Sequence, residues 1–111
     1  MSAKRYKLQV FIPTDQEKAV RTAIGEAGGG VIGNYDNCIS VTKSIGYFRP
    51  LPGAKPAVGK VGKINEVEEV KLEFQCEKKD IPNIIRAIDE SNIYEENAID
   101  IMPIIDRKDF K

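Results

Sequence analysis

A chain of 111 residues carrying 17 basic and 17 acidic side chains has no net charge, so no overall field is available to hold a nucleic-acid backbone or an anionic membrane surface. Histidine is absent, which excludes a Ser-His-Asp or Cys-His nucleophile and a His-ligated zinc site. The length suits a single domain over 1–111 with a core over 5–105, burying roughly 65% of the surface that the unfolded chain exposes.

Tyr6, Leu8, Val10 and Ile12 alternate with Lys7 and Gln9 and stop at Pro13, which predicts a strand with one wet side. Thr14-Asp15-Gln16-Glu17 has the order of a capping box and opens a helix. Its apolar stripe is Val20, Ala23, Ile24 and Ala27, and Gly28-Gly29-Gly30 ends it. A second strand is expected over Asn37 to Thr42.

From Lys43 to Asn65 glycine and proline crowd the chain, which predicts a long excursion with at most a short extended piece at Tyr47 to Pro50. Loops of this length inside a compact domain tend to carry function. Val70, Leu72, Phe74 and Cys76 alternate with Lys71, Glu73 and Gln75 as a third strand. Asp80 is placed to cap a second helix, Pro82 is tolerated in its first turn, and Ile81, Ile84, Ile85 and Ile88 form its apolar face. The last strand, Ala98 to Ile105, is apolar apart from Asp100, which suggests a central position or cover on both faces. The tail Asp106 to Lys111 is expected to fray.

Four strands and two single-striped helices in the order β-α-β-β-α-β make an α+β, ferredoxin-like two-layer sandwich. No segment has the order of a signal peptide, and no apolar run approaches the roughly 20 residues of a membrane helix. Cys38 and Cys76 sit in strand-like runs and read as reduced, buried thiols of a cytoplasmic protein.

The motifs are mostly structural. Gly28-x-Gly30-x-x-Gly33 matches a dinucleotide fingerprint in letters, but it follows a helix and precedes a strand, the reverse of what a pyrophosphate site needs. Glu95-Glu96 is read as a pair of solvated turn charges in preference to a paired-carboxylate site. Phe48-Arg49-Pro50 can present an aromatic face and a guanidinium to an anionic ligand, or anchor the excursion to a neighbouring subunit.

Taken together, Ala27-Gly28, Ile32-Gly33-Asn34-Tyr35, Cys38, Gly46, Phe48-Arg49-Pro50, the spaced series Gly53, Pro56, Gly59 and Gly62, Glu66 to Val70, and Tyr94-Glu95-Glu96 with Ala98 and Asp100 form an ordered pattern. It resembles the small inserted domain of the YqfO/YbgI (NIF-three-like) family. The resemblance implies a fold similar to CutA and the PII signalling proteins, assembled as a trimer through its sheets. In that family the domain sits over a separate metal-binding core with no counterpart in these residues, so metal-dependent hydrolase or cyclohydrolase activity is not carried over. Where family members often have histidine this chain has Asn37 and Asn92.

The leading expectation is a non-enzymatic, oligomeric ligand-sensing or regulatory domain with no cofactor and no metal. One alternative is a divalent-metal binder akin to CutA, using Glu95, Glu96 and Cys38. A second is an enzyme on a small phosphorylated or nucleotide substrate. The turns before the second and fourth strands both leave a helix C-terminus and are expected at one end of the sheet, and the excursion, which begins at the other end, is long enough to travel back to them or to reach a neighbouring subunit. A ligand site is therefore expected from Asn34, Tyr35, Phe48, Arg49, Tyr94 and Glu95, with Arg49 holding a small anionic ligand.

Overall fold

The computed structural model describes residues 5–110. Strand β1 (Arg5–Pro13) leads through a short 3-10 turn, Thr14–Gln16, into helix α1 (Glu17–Glu26). Strands β2 (Ile39–Phe48) and β3 (Asn65–Glu77) follow, then a 3-10 turn at Lys78–Asp80, helix α2 (Ile81–Ser91) and strand β4 (Ile99–Ile104). All neighbouring strands are antiparallel in the order β2-β3-β1-β4, which is the ferredoxin-like sandwich.

The alternation in β1 and β3 decides the layering. Leu8 pairs with Phe74 and Val10 with Leu72, and because side chains alternate across a sheet their shared parity puts them on one face. Leu8, Val10, Ile12, Leu72 and Cys76 are fully buried there with Val20 and Ile24 of α1 and Ile84 and Ile88 of α2. The other face is open. It carries Lys7, Lys71 and Glu73, joined by ion pairs of 2.8 Å (Lys7 with Glu73) and 3.7 Å (Lys71 with Glu73).

Neither helix begins as its sequence suggests. Side-chain caps work from a residue in an extended conformation, whereas Gln16 and Asp80, which precede α1 and α2, already have helical φ and ψ. The Glu17 amide donates to the Thr14 carbonyl, and the Glu17 carboxylate turns forward to Arg21 at 3.1 Å. The capping box is thus not formed, and α1 starts at Glu17 after a 3-10 turn.

The long excursion is shorter than expected because the hairpin arms are longer. β2 continues through Lys43 to Phe48 and β3 begins at Asn65, leaving 49–64 as the connection. Gly46 does not break β2. A Cβ there would lie 1.9 Å from Glu69 Oε1, so this glycine makes room for a buried carboxylate on the next strand.

β4 is also placed differently. Among the described residues it is an edge strand hydrogen-bonded only to β1, with Ile101 and Met102 exposed; Pro103, which lacks an amide to donate, is tolerated at such an edge. Past β4 the tail forms a 3-10 turn, Arg107–Asp109, because the Asp106 carboxylate accepts the Lys108 amide at 3.0 Å. Lys111 lies outside the described residues. Cys76 is fully buried, and burial pushes its thiol up to about 11. Cys38 is half-buried, outside the sheet.

The glycines after α1 terminate it. The Gly28 amide donates to the Gly25 carbonyl and the Gly29 amide to the Ile24 carbonyl, and Gly30 then exchanges backbone bonds with Gln75 and Cys38. Gly30 has φ +84°, and a Cβ on it would stand 2.8 Å from the Cys38 amide nitrogen. Gly30→Ala is expected to lose at least the roughly 1–3 kcal/mol of such backbone strain, read as a lower urea midpoint with an unchanged slope.

Candidate functional site

Chain direction sets the site. β1 and β2 run one way and β3 and β4 the other. α1 therefore returns the chain to the end where β1 begins, and α2 carries it to the end where β1 finishes. The turn before β4 emerges beside the 49–64 connection, because both lie at the β1-finishing end. The turn before β2 lies at the opposite end.

This separates the expected residues. Asn34 and Tyr35 belong to a tight turn closed by mutual backbone bonds between Ile32 and Tyr35, of 2.9 and 3.0 Å, with Tyr35 largely exposed. They do not reach the other four. Two helices antiparallel to each other cannot place both C-termini at one end, which corrects the expectation that these turns meet. Cys38 lies with Asn34 and Tyr35, at the far end from Glu95 and Glu96, so the CutA-like ligand set does not come together within one chain. Among the described residues no group of three or more Cys, Asp and Glu side chains is placed to hold a metal ion.

Phe48, Arg49, Tyr94 and Glu95 do come together, around a cleft of about 550 Å³. Phe48 ends β2, and its ring meets Tyr94 edge-on with centroids 6.2 Å apart. The connection folds on itself through the Gly62 amide, which donates to the Pro50 carbonyl at 2.8 Å. At its base the Asn65 amide group donates to the Lys63 carbonyl at 2.8 Å. The Lys55 backbone amide then donates to both oxygens of Glu95, at 3.0 and 3.2 Å, which ties the connection to the turn.

Asn92 builds the turn. Its amide group donates to the Ile88 carbonyl at the end of α2 and to Asn97 Oδ1, while its own oxygen accepts the Tyr94 amide at 2.8 Å. Asn37, the other asparagine marked above, adopts φ +54°, a left-handed conformation that asparagine takes more readily than most residues.

Two residues of the cleft were not foreseen. Phe11 lines it from β1; an apolar side chain at the parity of Lys7 and Gln9 was the available signal. Glu69 is only 8% exposed and accepts the Tyr94 hydroxyl at 2.6 Å through Oε2. A carboxylate within the run Glu66 to Glu69 gives no hint in sequence that one member is buried. Burial, and then the Glu69 carboxylate, hold the Tyr94 hydroxyl well above the ordinary tyrosine value.

No family model matches the sequence. The chain is 45% identical over 98 residues to a GTP cyclohydrolase 1 type 2 homolog of Bacillus subtilis, a match covering 88% of this chain and 26% of that protein. It superposes on a Bacillus cereus protein related to NIF3 with TM-score 0.82 and 32% identity, over 96% of this chain and 27% of the other. This chain is a relative of the small CutA-like domain of NIF-three-like proteins. It spans about a quarter of the length of the curated relatives it matches. CutA1 from Shewanella sp. SIB1 shares the fold at TM-score 0.69 and 17% identity, over 96% of this chain and 86% of that one. A Bacillus subtilis GlnK–ATP complex shares it at 0.62 and 12%, over 94% and 84%.

The Tyr94–Glu69 contact gives a pH test. Because the folded pKa of Tyr94 is raised above 10.0, its contribution to stability is fully present below pH 10 and is lost as pH rises towards the folded value. Tyr94→Phe leaves Glu69 buried without its donor and is expected to cost about 1–3 kcal/mol at neutral pH. Denaturant titrations across the alkaline range should show the two proteins converging as pH rises above 10.0. Parallel curves would mean that the hydroxyl is not held as described.

Proposed function

We propose that this chain is a non-enzymatic regulatory domain that binds a small ligand in the cleft between the 49–64 connection and the 92–98 turn, and that it works as a homotrimer. The observation that carries the reading is the cleft itself, where two segments remote in sequence are tied by Glu95 and Lys55 and floored by Phe11 and Glu69. A concave, largely apolar site with a few polar groups is the usual form of a small-molecule pocket. The GlnK fold neighbour, a complex with ATP, is consistent with ligand binding on this architecture.

Catalysis has less support. The side chains lining the cleft offer carboxylates, tyrosines and one arginine, and with no histidine in the chain proton transfer near neutral pH would fall to a carboxylate of suitable pKa. The cyclohydrolase named for the relatives describes proteins about four times as long.

Unpartnered apolar surface supports assembly. Val41, Ile45 and Tyr47 are exposed on the helix side of β2, and Ile101 is exposed on β4. A purified sample is expected to scatter light as a trimer, and a monomer at micromolar concentration would end the trimer proposal. A thermal-denaturation screen over nucleotides, metal ions and common metabolites tests the ligand, since one that binds only the folded state must raise the midpoint. The response should weaken in Glu95→Ala, which releases the connection from the turn.

A further inference from the structure

Charge in the cleft runs against the anionic ligand expected from Arg49. Arg49 is the one basic side chain among the residues that line it, against the carboxylates of Glu69, Glu95 and Glu96. Lys55, Lys60 and Lys63 of the connection do not line it. None of these carboxylates makes an ion pair among the described residues. Glu69 is bonded through Oε2 to Tyr94, its Oε1 makes no hydrogen bond among the described residues, and the residue is more than nine-tenths buried. Among the described residues Glu95 accepts only a backbone amide, and Glu96 accepts nothing. On the other side of the turn, a second depression is lined by Asp89, Glu95 and Glu96 and by no basic residue.

The walls point the same way. Phe11, Phe48 and Tyr94 all line the cleft, and the faces of aromatic rings attract a cation. A bare metal ion is a poor fit, because metal binding needs several ligands converging on one point and no three carboxylates or thiols among the described residues do so. Here the charges are spread around an apolar space. That arrangement suits an ion with an apolar body and one charged end.

We propose that the cleft takes a small organic cation, a primary ammonium or guanidinium carried on an aliphatic chain. The charged end sits against Glu69 and Glu96, and the aliphatic part lies between Phe48, Tyr94 and Phe11. Arg49, exposed at the mouth, opposes such a ligand and limits its affinity. The inference rests on the cleft being the ligand site.

Two probes with one carbon skeleton and opposite charge separate the possibilities. n-Butylammonium and n-butyrate are titrated into the full chain at matched ionic strength, with aromatic and amide NMR shifts as the readout. Butylammonium is expected to move the resonances of Phe48 and Tyr94 and butyrate to leave them in place. Glu69→Gln, which keeps an acceptor for the Tyr94 hydroxyl, should weaken butylammonium about tenfold, in keeping with the loss of a charged hydrogen bond. Glu96→Gln is the second variant should the first fail to fold, and Arg49→Gln should tighten binding. Shifts with butyrate alone would overturn the cation inference and leave the cleft as a ligand site. No shift with either probe would remove the cleft from the functional reading as well.

Discussion

Burial of the even-numbered residues of β1 and β3 beneath two helices is the constraint from which the rest follows. Leu8, Val10, Ile12, Val70, Leu72, Phe74 and Cys76 must share one face, and slipping either strand by one residue would turn its whole apolar set into solvent. With that register fixed, β1 and β3 run antiparallel and the helices following them run in opposite directions. The end of α2 and the end of β2 then meet at the same edge, and the end of α1 cannot. The cleft is a consequence of the core's direction before any of its own residues are considered.

What then holds the cleft closed is unequal in strength. The bonds from Lys55 to Glu95 are exposed and compete with water, so they orient the connection more than they stabilise it. The Tyr94–Glu69 bond is partly buried and reaches a charged acceptor, and bonds to charged groups are the stronger kind. Gly46 belongs to the same device, since any side chain there would displace the Glu69 carboxylate. Tyr94 thus joins α2's turn to the far side of the sheet through one hydroxyl, and its ring supports Phe48 at the root of the connection. A residue that is both anchor and wall couples the shape of the cleft to the packing of the turn.

The strands and helices were legible because their period is set by burial. Ile81, Ile84, Ile85 and Ile88 could only be a helix face, and Val70 to Cys76 only a strand. The arms of the hairpin were less legible: Lys43 to Phe48 contains a glycine, and Gly46 looks like a breaker until the Glu69 side chain that lies over it is known. The capping residues misled because both helices are entered through 3-10 turns, which satisfy the first amides with backbone carbonyls. Four of the six expected site residues share a cleft and two do not, and the difference is one of direction. Sequence shows that a turn follows a helix, but only the pairing of β2 with β3 shows which end of the sheet that turn occupies. Glu69 was invisible for another reason, since nothing local distinguishes a buried glutamate from the exposed ones beside it.

The two faces and two edges of the sheet differ in how they could meet another copy. On the open face Glu73 is held by Lys7, which lowers its pKa, and by Lys71, while Gln9 donates to Asp100 at 2.9 Å. These groups already satisfy one another, and burying them would cost desolvation that the pairs recover only in part. Among the described residues the edges have no such internal partners. β2 offers a run of unpaired backbone groups along ten residues, with Val41, Ile45 and Tyr47 exposed beside it, and β4 offers another with Ile101 and Met102. Long apolar edges of this kind invite strand pairing unless they are covered. An assembly that closed β2 of one copy against β4 of the next would cover both at once, and rotation about an axis closes such a head-to-tail contact into a ring. Because Phe48 ends β2 and Ala98 precedes β4, that ring would bring a neighbour to the rim of each cleft, so that oligomer and ligand site would answer to the same contact.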